Sequence, residues 1–426
     1  MRSFYTALFY AASPLIVGRL LWKGIKAPAY RERIPERFGF YSLGFSPASV
    51  WLHAVSVGEA EAAFPLLRGL LQRYPSLSIV VTTTTPTGSA RVRSVLGNAV
   101  EHVYLPYDLP GPVRRFMTAF RPRLALIMET EIWPNLFKAA ADSSVPLVIV
   151  NGRLSERSAT GYQRIRSLTA SSLSDVTFIA AQSDADADRF IALGADPARV
   201  EAVGNIKFDM ELPASIGGEC AKLRSELFGN RPVLIAGSTH DGEEQLILAA
   251  ARSLWATIPN LLVILVPRHP ERFADVADLC HKEGLTIARR GDGASAADSQ
   301  VYLLDTMGEL RLFYGASDVA FVGGSLVPTG GHNLLEPAAL GVPVVFGPHV
   351  FNFRDMARGM LEAEAAVQVK DASELAPVFQ RLLTDPQARE EQAEKGKSFF
   401  SRGRGALNRV FQRLAEWVPA GPEQAA

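Results

Sequence analysis

Residues 232–267 read PVLIAGSTHDGEEQLILAAARSLWATIPNLLVILVP. Two short, unbroken apolar runs, 232–238 and 261–267, flank a stretch long enough for a helix. Apolar runs of this length without alternation suit strands covered on both faces, as in a parallel sheet. Strand, helix and strand at this spacing form a βαβ unit. The pattern continues through VYLLD (301–305), VAFVGG (319–324) and PVVFG (343–347), with helices between them. Toward the N-terminus a second series appears: WLHAVS (51–56), SIVVTTT (78–84), RLALIM (123–128), PLVIVN (146–151) and the weaker TFIAAQ (177–182). Helices are expected over about 58–74 and 184–193. Residues 211–230 are mixed and polar, with Pro213, Gly217 and Gly218, and suit an interdomain connection. The fold class is therefore α/β, with doubly wound domains at 31–210 and 231–426, the second ending in a long amphipathic helical tail over 385–417. Ligands are expected beyond the carboxyl ends of the strands and in the cleft between the domains.

Composition narrows the function. In 426 residues, 44 lysines and arginines balance 44 aspartates and glutamates. A protein that coats nucleic acid carries a basic excess, so no nucleic-acid partner is expected. Hydrophobic residues at 48% and charged residues at 21% argue against long disorder. Cys220 and Cys280 are the two cysteines, which excludes a disulfide scaffold and a cysteine-rich zinc site and fits a reducing compartment. The seven histidines, at 53, 102, 240, 269, 281, 332 and 349, show no HExxH-type spacing, so no catalytic metal is expected. No GxSxG elbow supports a serine hydrolase.

The N-terminus departs from this average. Residues 4–22, FYTALFYAASPLIVGRLLW, carry no charge before Arg19, and their length is near the roughly 20 residues that span a bilayer. Pro14, Arg19 and the early aromatics weaken a spanning helix, and no small-residue cleavage site marks a signal peptide. Arg19, Lys23, Lys26, Arg31, Arg33 and Arg37 follow, against Glu32 and Glu36. Such a cluster favours an anionic cytoplasmic leaflet and keeps the following chain in the cytoplasm. Residues 1–30 read as a membrane anchor, dipping or spanning. The alternative is a buried first helix packed on the C-terminal domain.

Chemistry is expected at the strand ends. Ser56-Val57-Gly58-Glu59 follows the first strand; Gly58 permits a tight turn and Glu59 falls in the first helical turn. Glu59 there is either catalytic or a complement to the helix dipole. Glu129 and Glu131 follow another strand, with Pro134 suited to a helix start; they either orient a polar ligand or cap the helix. In 323–337, GGSLVPTGGHNLLEP, a glycine loop leads to a helix expected near His332. Gly330 and Gly331 allow close backbone approach, and the helix start offers amides to a phosphate. Glu336 shares a face with Asn333 and could accept from ribose hydroxyls. This is neither a Walker loop nor a GxGxxG fingerprint. Arg268 and His269, Ser238-Thr239-His240 with Asp241 as a helix cap, and Asp305 to Glu309 lie at further strand ends.

HAVSVGE, TTTTPTG, ETEIWPN, NGRLSERS, GNIKFD, GSTH, VPRHPERF and GGSLVPTGGHNLLEPA, in this order, resemble the bacterial 3-deoxy-D-manno-octulosonic acid (Kdo) transferases of lipopolysaccharide synthesis. The match runs to about residue 390; its nearest departure is Gly152, where many relatives carry alanine. The resemblance implies a GT-B architecture of two facing Rossmann-like domains, and an inverting, metal-independent transfer of Kdo from CMP-Kdo to a lipid A precursor at the cytoplasmic face of the inner membrane. It implies Glu59 as proton acceptor, and Arg268, His269, Met307, Gly308, Glu309 and Asn333, Leu334, Leu335 and Glu336 as CMP-binding positions, with Gly330 and Gly331 in the same loop. Ser56, Gly58, Glu129, Glu131, Arg153 and Lys207 are candidates for the acceptor side or the cleft. Arg31, Arg33, Arg37 and Arg157 are further candidates for the acceptor's phosphates. No cofactor is expected. Two other readings remain at this point: another GT-B transferase or epimerase using a UDP-sugar, and a membrane-tethered nucleotide-sugar sensor.

Overall fold

The computed structural model describes residues 1–41 and 47–418. The chain divides into two compact units, Met1–Glu211 with the segment from Gly403 onward, and Leu212–Arg402.

In the first unit β1 (Val50–His53), β2 (Ile79–Thr83), β3 (Glu101–Tyr104), β4 (Leu124–Met128), β5 (Leu147–Gly152), β6 (Phe178–Ala181) and β7 (Val200–Ala202) form one sheet in the order β3-β2-β1-β4-β5-β6-β7. Every pairing is parallel. Successive side chains of a strand point to opposite faces. Val50, Leu52, Leu124 and Leu126 accordingly join one core, while Trp51, Ala125 and Ile127 join the other. The α2 helix, Val57–Arg73, packs into the first of these through Ala63, Leu66, Leu67 and Leu70.

The second unit repeats the plan. β8 (Val233–Thr239), β9 (Leu262–Pro267), β10 (Ile287–Arg289), β11 (Val301–Leu303), β12 (Val319–Val322), β13 (Val344–Phe346) and β14 (Ala366–Gln368) are ordered β10-β11-β9-β8-β12-β13-β14, again parallel. In both sheets the strand order reverses direction beside the first strand, between β1 and β4 and between β8 and β12. Open α/β sheets bind ligands at such switch points.

Four differences from the sequence reading have physical causes. The tail expected to end the second domain is two helices, Pro386–Gly403 and Ala406–Leu414, separated at Gly405 with φ 95°. Ala406, Val410, Phe411 and Leu414 bury themselves in the first unit's core, and Asp209 accepts from the Gly405 and Leu407 amides, both at 2.6 Å. Residues 211–230 are more than a connection: Ile216–Leu223 is a helix, Phe228 enters the second unit's core, and Arg224 pairs with Asp318 at 3.0 Å. The helix expected near His332 is Leu335–Ala339, only five residues long. Asp241 is not the cap of Glu243–Trp255, because Gly242 holds that position at φ 90°.

The first helix, α1 (Arg2–Lys26), packs on the first unit, to which it belongs. Arg2 pairs with Asp175 at 2.9 Å, the Thr6 hydroxyl donates to Asn135 at 3.0 Å, and Phe9 meets the edge of Tyr107. One face of it is nevertheless open: Phe4, Leu15, Trp22 and Ile25 are 71%, 77%, 66% and 66% exposed. Among the described residues, Arg2–Ile25 is the one helix long and apolar enough to cross a membrane. A contiguous apolar surface of this kind marks an interaction site.

Phe411 ties the returning C-terminal helix to the first unit. Its side chain is 5% exposed and lies under the Arg73 guanidinium, 3.9 Å from the ring. Phe411→Ala is expected to destabilise the first unit by about 3–5 kcal/mol, read by urea denaturation. A loss below about 1 kcal/mol would show that the helix is not part of that core.

Candidate active site

The first unit gathers three carboxyl groups at the ends of β1 and β4. Ser56 caps α2, its hydroxyl accepting from the Glu59 amide at 3.3 Å. Glu59 reaches back, so that Oε2 accepts from the Val55 amide at 2.7 Å and Oε1 from the Ser56 hydroxyl at 3.3 Å. This variant of the capping box fixes the carboxyl at the strand end. Burial pushes the Glu59 carboxyl up to about 8, and the nearby Glu129 and Glu131 carboxylates push in the same direction against the Val55 bond. Glu131 is also raised, by burial first and then by Glu129. Glu129 itself pairs with Lys207 at 2.9 Å.

The backbone is strained where these groups meet. Glu129 and Asn151, at the ends of neighbouring β4 and β5, both hold positive φ, 57° and 56°. Non-glycine residues tolerate that region poorly, and such conformations cluster at functional sites. The Asn151 side chain accepts from the Ile206 amide at 3.1 Å, and Asn205 donates to Gln182 at 3.0 Å. These bonds draw the NGRL and GNIK segments together beside Glu129. The Thr130 hydroxyl donates to the Arg153 carbonyl. Gly58 is exposed on the first turn of α2, where a Cβ would meet only the Ser56 hydroxyl, at 3.9 Å.

Not every cation named from the sequence is available to an acceptor. Arg37 is buried, bonded to the Thr84 carbonyl and stacked on Tyr104. Arg33 pairs with Glu36 at 2.6 Å and binds the His102 carbonyl at 2.7 Å. Arg31 caps the Leu21 carbonyl of α1. These three hold the N-terminal segment in place, whereas Arg157 is exposed.

The second unit gathers the ends of β8, β9 and β12. The GSTH and GGS loops are bound together by Glu243, a residue the sequence reading passed over. Arg268 follows β9, its amide bonded to the Thr239 carbonyl at 3.0 Å. His240 and His332 face each other, Nε2 to Nε2 at 2.9 Å, and the His269 ring lies 5.4 Å from that of His240. Burial holds His332 down to about 3, helped by His240, Arg268 and His269, and burial lowers His240 as well. Buried Glu244 takes a two-pronged ion pair from Arg272 at 2.7 and 2.9 Å and a bond from Thr239 at 2.7 Å. The only signal for these acids was two glutamates opening a helix, a pattern that fits a dipole role equally well.

Gly330 and Gly331 sit at φ 104° and 77°. A Cβ on Gly330 would lie 2.3 Å from the Asn352 amide nitrogen, so glycine is required there. Asn333 accepts from the Leu335 amide at 3.1 Å and its amide reaches Glu336 at 3.4 Å; Leu334 and Leu335 are buried. Met307 is exposed and Gly308 turns at φ 91°. The Glu309 carboxylate is taken by Arg290 at 2.7 Å and by the Thr306 hydroxyl, and Arg290 holds it below the usual range. Among the described residues no cluster of three or more His, Cys, Asp or Glu side chains is placed to hold a metal ion.

Two parallel-sheet, Rossmann-like units, each with polar groups at its switch point, make a GT-B fold. The solved UDP-GlcNAc 2-epimerase from Neisseria meningitidis, bound to UDP-GlcNAc, matches at TM-score 0.58, covering 87% of this chain and 100% of its own with 14% identity, which speaks for the fold alone. Residues 32–210 match the family model described as 3-Deoxy-D-manno-octulosonic-acid transferase (kdotransferase). The 3-deoxy-D-manno-octulosonic acid transferase of Haemophilus influenzae is 43% identical over 98% of this chain and 99% of its own. That of Bordetella pertussis is 36% identical over 98% and 99%. The chain belongs to the Kdo transferase family, and this relationship disfavours the UDP-sugar alternative.

The raised Glu59 carboxyl has a consequence for stability. The folded protein keeps its proton up to about 8, whereas the unfolded chain releases it near 4.5. Folding therefore loses stability as pH rises between those values. Glu59→Gln lacks this cost, so its stability relative to wild type should grow from pH 5 to pH 8 and level above it. Urea melts at pH 5, 7 and 9 test this, and a difference that is flat with pH would refute the burial.

Proposed function

We propose that this chain transfers Kdo from CMP-Kdo to a lipid A precursor in lipopolysaccharide core synthesis, with inversion and release of CMP. The observation that carries the mechanism is the partly buried Glu59 carboxyl, oriented by Val55 and Ser56 and raised to about 8. A carboxylate of that basicity is suited to general-base work near neutral pH. The acceptor hydroxyl gives its proton to Glu59 as its oxygen attacks the anomeric carbon of Kdo, and the bond from that carbon to the CMP phosphate oxygen breaks. Ser56, Gly58, Glu131, Arg153 and the Glu129–Lys207 pair surround the acceptor side.

The leaving phosphate is received by Arg268, with His269 beside it, and by the backbone around Gly330, Gly331 and Asn333, while Met307-Gly308-Glu309 and Leu334, Leu335 and Glu336 frame the nucleoside. Two details of the geometry refine the sequence reading. The amides of Gly324, Ser325 and Leu326 are already bonded to Glu243. The helix from Leu335 is too short to supply much dipole, so the cation and the later loop amides carry the stabilisation. A preorganised donor of this kind is worth about 3 kcal/mol. These donors stand in for a divalent cation, so transfer is expected to persist in excess chelator; strict loss there would require a metal.

The exposed apolar face of α1, with Arg19 and Lys23 also exposed, supports attachment to the anionic cytoplasmic face of the inner membrane. Deleting residues 1–24 is expected to weaken vesicle binding more than turnover on a detergent-dispersed acceptor.

Mass spectrometry of the product from CMP-Kdo and lipid A precursor tests the reaction. Glu59→Gln should lower kcat by about 10²–10⁴-fold with CMP affinity retained, and wild-type kcat/KM should rise with pH toward about 8. A folded Glu59→Gln protein at wild-type rate would remove Glu59 from the mechanism. Calorimetric binding of UDP in preference to CMP would overturn the donor.

A further inference from the structure

The second unit holds a carboxylate that no part of this chemistry uses. Glu243 opens the helix Glu243–Trp255 and is 0% exposed. Its Oε1 accepts from the Ser325 amide at 3.0 Å and the Leu326 amide at 2.9 Å; its Oε2 accepts from the Gly324 amide at 2.6 Å and the His240 amide at 2.9 Å. A carboxylate offers about four lone-pair positions, and here each oxygen meets two backbone donors. Three successive amides aimed at one point form a concavity that binds anions. In this loop the anion is supplied from within the chain.

The consequence reaches the donor loop. Gly324 stands at φ 67°, and a Cβ there would lie 2.8 Å from the Thr329 hydroxyl and 3.1 Å from the His332 ring. The turn held by Glu243 therefore packs directly against the segment carrying His332. The Gly331 amide bonds back to the Gly324 carbonyl at 2.7 Å, and the Thr329 hydroxyl to the same oxygen at 2.9 Å. On its other side Glu243 fixes the His240 backbone, and His240 meets His332 at 2.9 Å. One buried group thus sets both strand-end loops, after β8 and after β12, and both sides of the histidine contact.

We infer that Glu243 is a positioning residue for the nucleotide donor: by holding the 324–326 amides and the His240 amide, it shapes the 330–336 segment before the donor arrives. The inference rests on the reading that this segment receives CMP. Glu243→Gln keeps the size but replaces one accepting oxygen with an NH₂ that faces two N–H groups. With a charge-assisted acceptor lost, the KM for CMP-Kdo and the Kd for CMP should each rise about tenfold or more. The KM for the acceptor should stay unchanged, as should kcat at saturating donor, and amide hydrogen exchange at 324–326 should quicken. Glu243→Asp, which keeps both oxygens on a shorter stem, should restore part of the donor affinity. Asp318→Asn is the control, in the same unit but bonded to the Val233 amide and to Arg224 at the amino ends of β8 and β12, away from the loops; it should leave the donor KM near wild type.

Equal rises in donor KM for Glu243→Gln and Asp318→Asn would reduce Glu243 to a general support of the fold and overturn the inference. Wild-type affinity in Glu243→Gln would do the same. Should Glu243→Gln not fold, Glu243→Asp decides alone, since an unchanged donor KM and unchanged exchange at 324–326 would sink the proposal. Wild-type protein that binds no CMP overturns the donor assignment instead, while slow exchange at 324–326 that Glu243→Gln quickens would still uphold the clamp.

Discussion

A parallel strand can be joined to the next only by a crossover that covers one face of the sheet. Both sheets here are parallel throughout, so both faces of each are taken by helices and cores. What remains open is the row of strand ends, and each crossover must pass there as a turn. Those turns expose the amides and short polar side chains that a ligand can use. The switch points between β1 and β4, and between β8 and β12, part neighbouring turns to opposite faces. Glu59 and Glu129 lie at one of them, Glu243 and the glycine loop at the other.

The same constraint explains what the sequence made legible. Central strands such as LALIM and LLVILVP are buried on both faces and announce themselves as unbroken apolar runs. The four strands the reading missed are β3, β7, β10 and β14, and each is the edge of its sheet. An edge strand has one bonded neighbour, and three of these four are only three residues long with wetter side chains; all three residues of β7, Val200–Ala202, are only partly buried. Its pattern is then that of a loop. The returning helix Ala406–Leu414 was placed with its sequence neighbours because amphipathicity reports that a face is buried, not which core receives it. The place of Glu59 on the first turn of α2 was legible because a strand, a tight turn and an acid fall in order. Glu243 was not, because its partners lie 81–83 residues away and are backbone amides that carry no sequence signature.

Three glutamates show how one side chain takes different roles from its surroundings. Glu309 meets a guanidinium and stays low, which ties down a turn. Glu243 meets four backbone donors and no solvent, so it acts as a strut. Glu59 has one strong backbone donor, a weaker hydroxyl and two acidic neighbours, and burial raises it to about 8. Only the last arrangement leaves a proton-accepting group whose charged form is poorly stabilised by the protein, and a general base near neutral pH needs that property.

Under-stabilising Glu59 has a cost that the rest of the unit must offset. The positive φ of Glu129 and Asn151 adds to it, since each such residue is held off its preferred backbone. The fully buried β1, β2, β4 and β5 beneath the site bear both. The helix Ala406–Leu414 adds four more buried side chains to the same core, on the face that also receives α2. Since α2 carries Glu59 on its first turn, packing at Phe411 and Gly69 bears on the helix that aims this carboxyl, the proposed base. The return of the chain to the first unit is thus part of what lets a partly buried, poorly stabilised carboxyl keep its place.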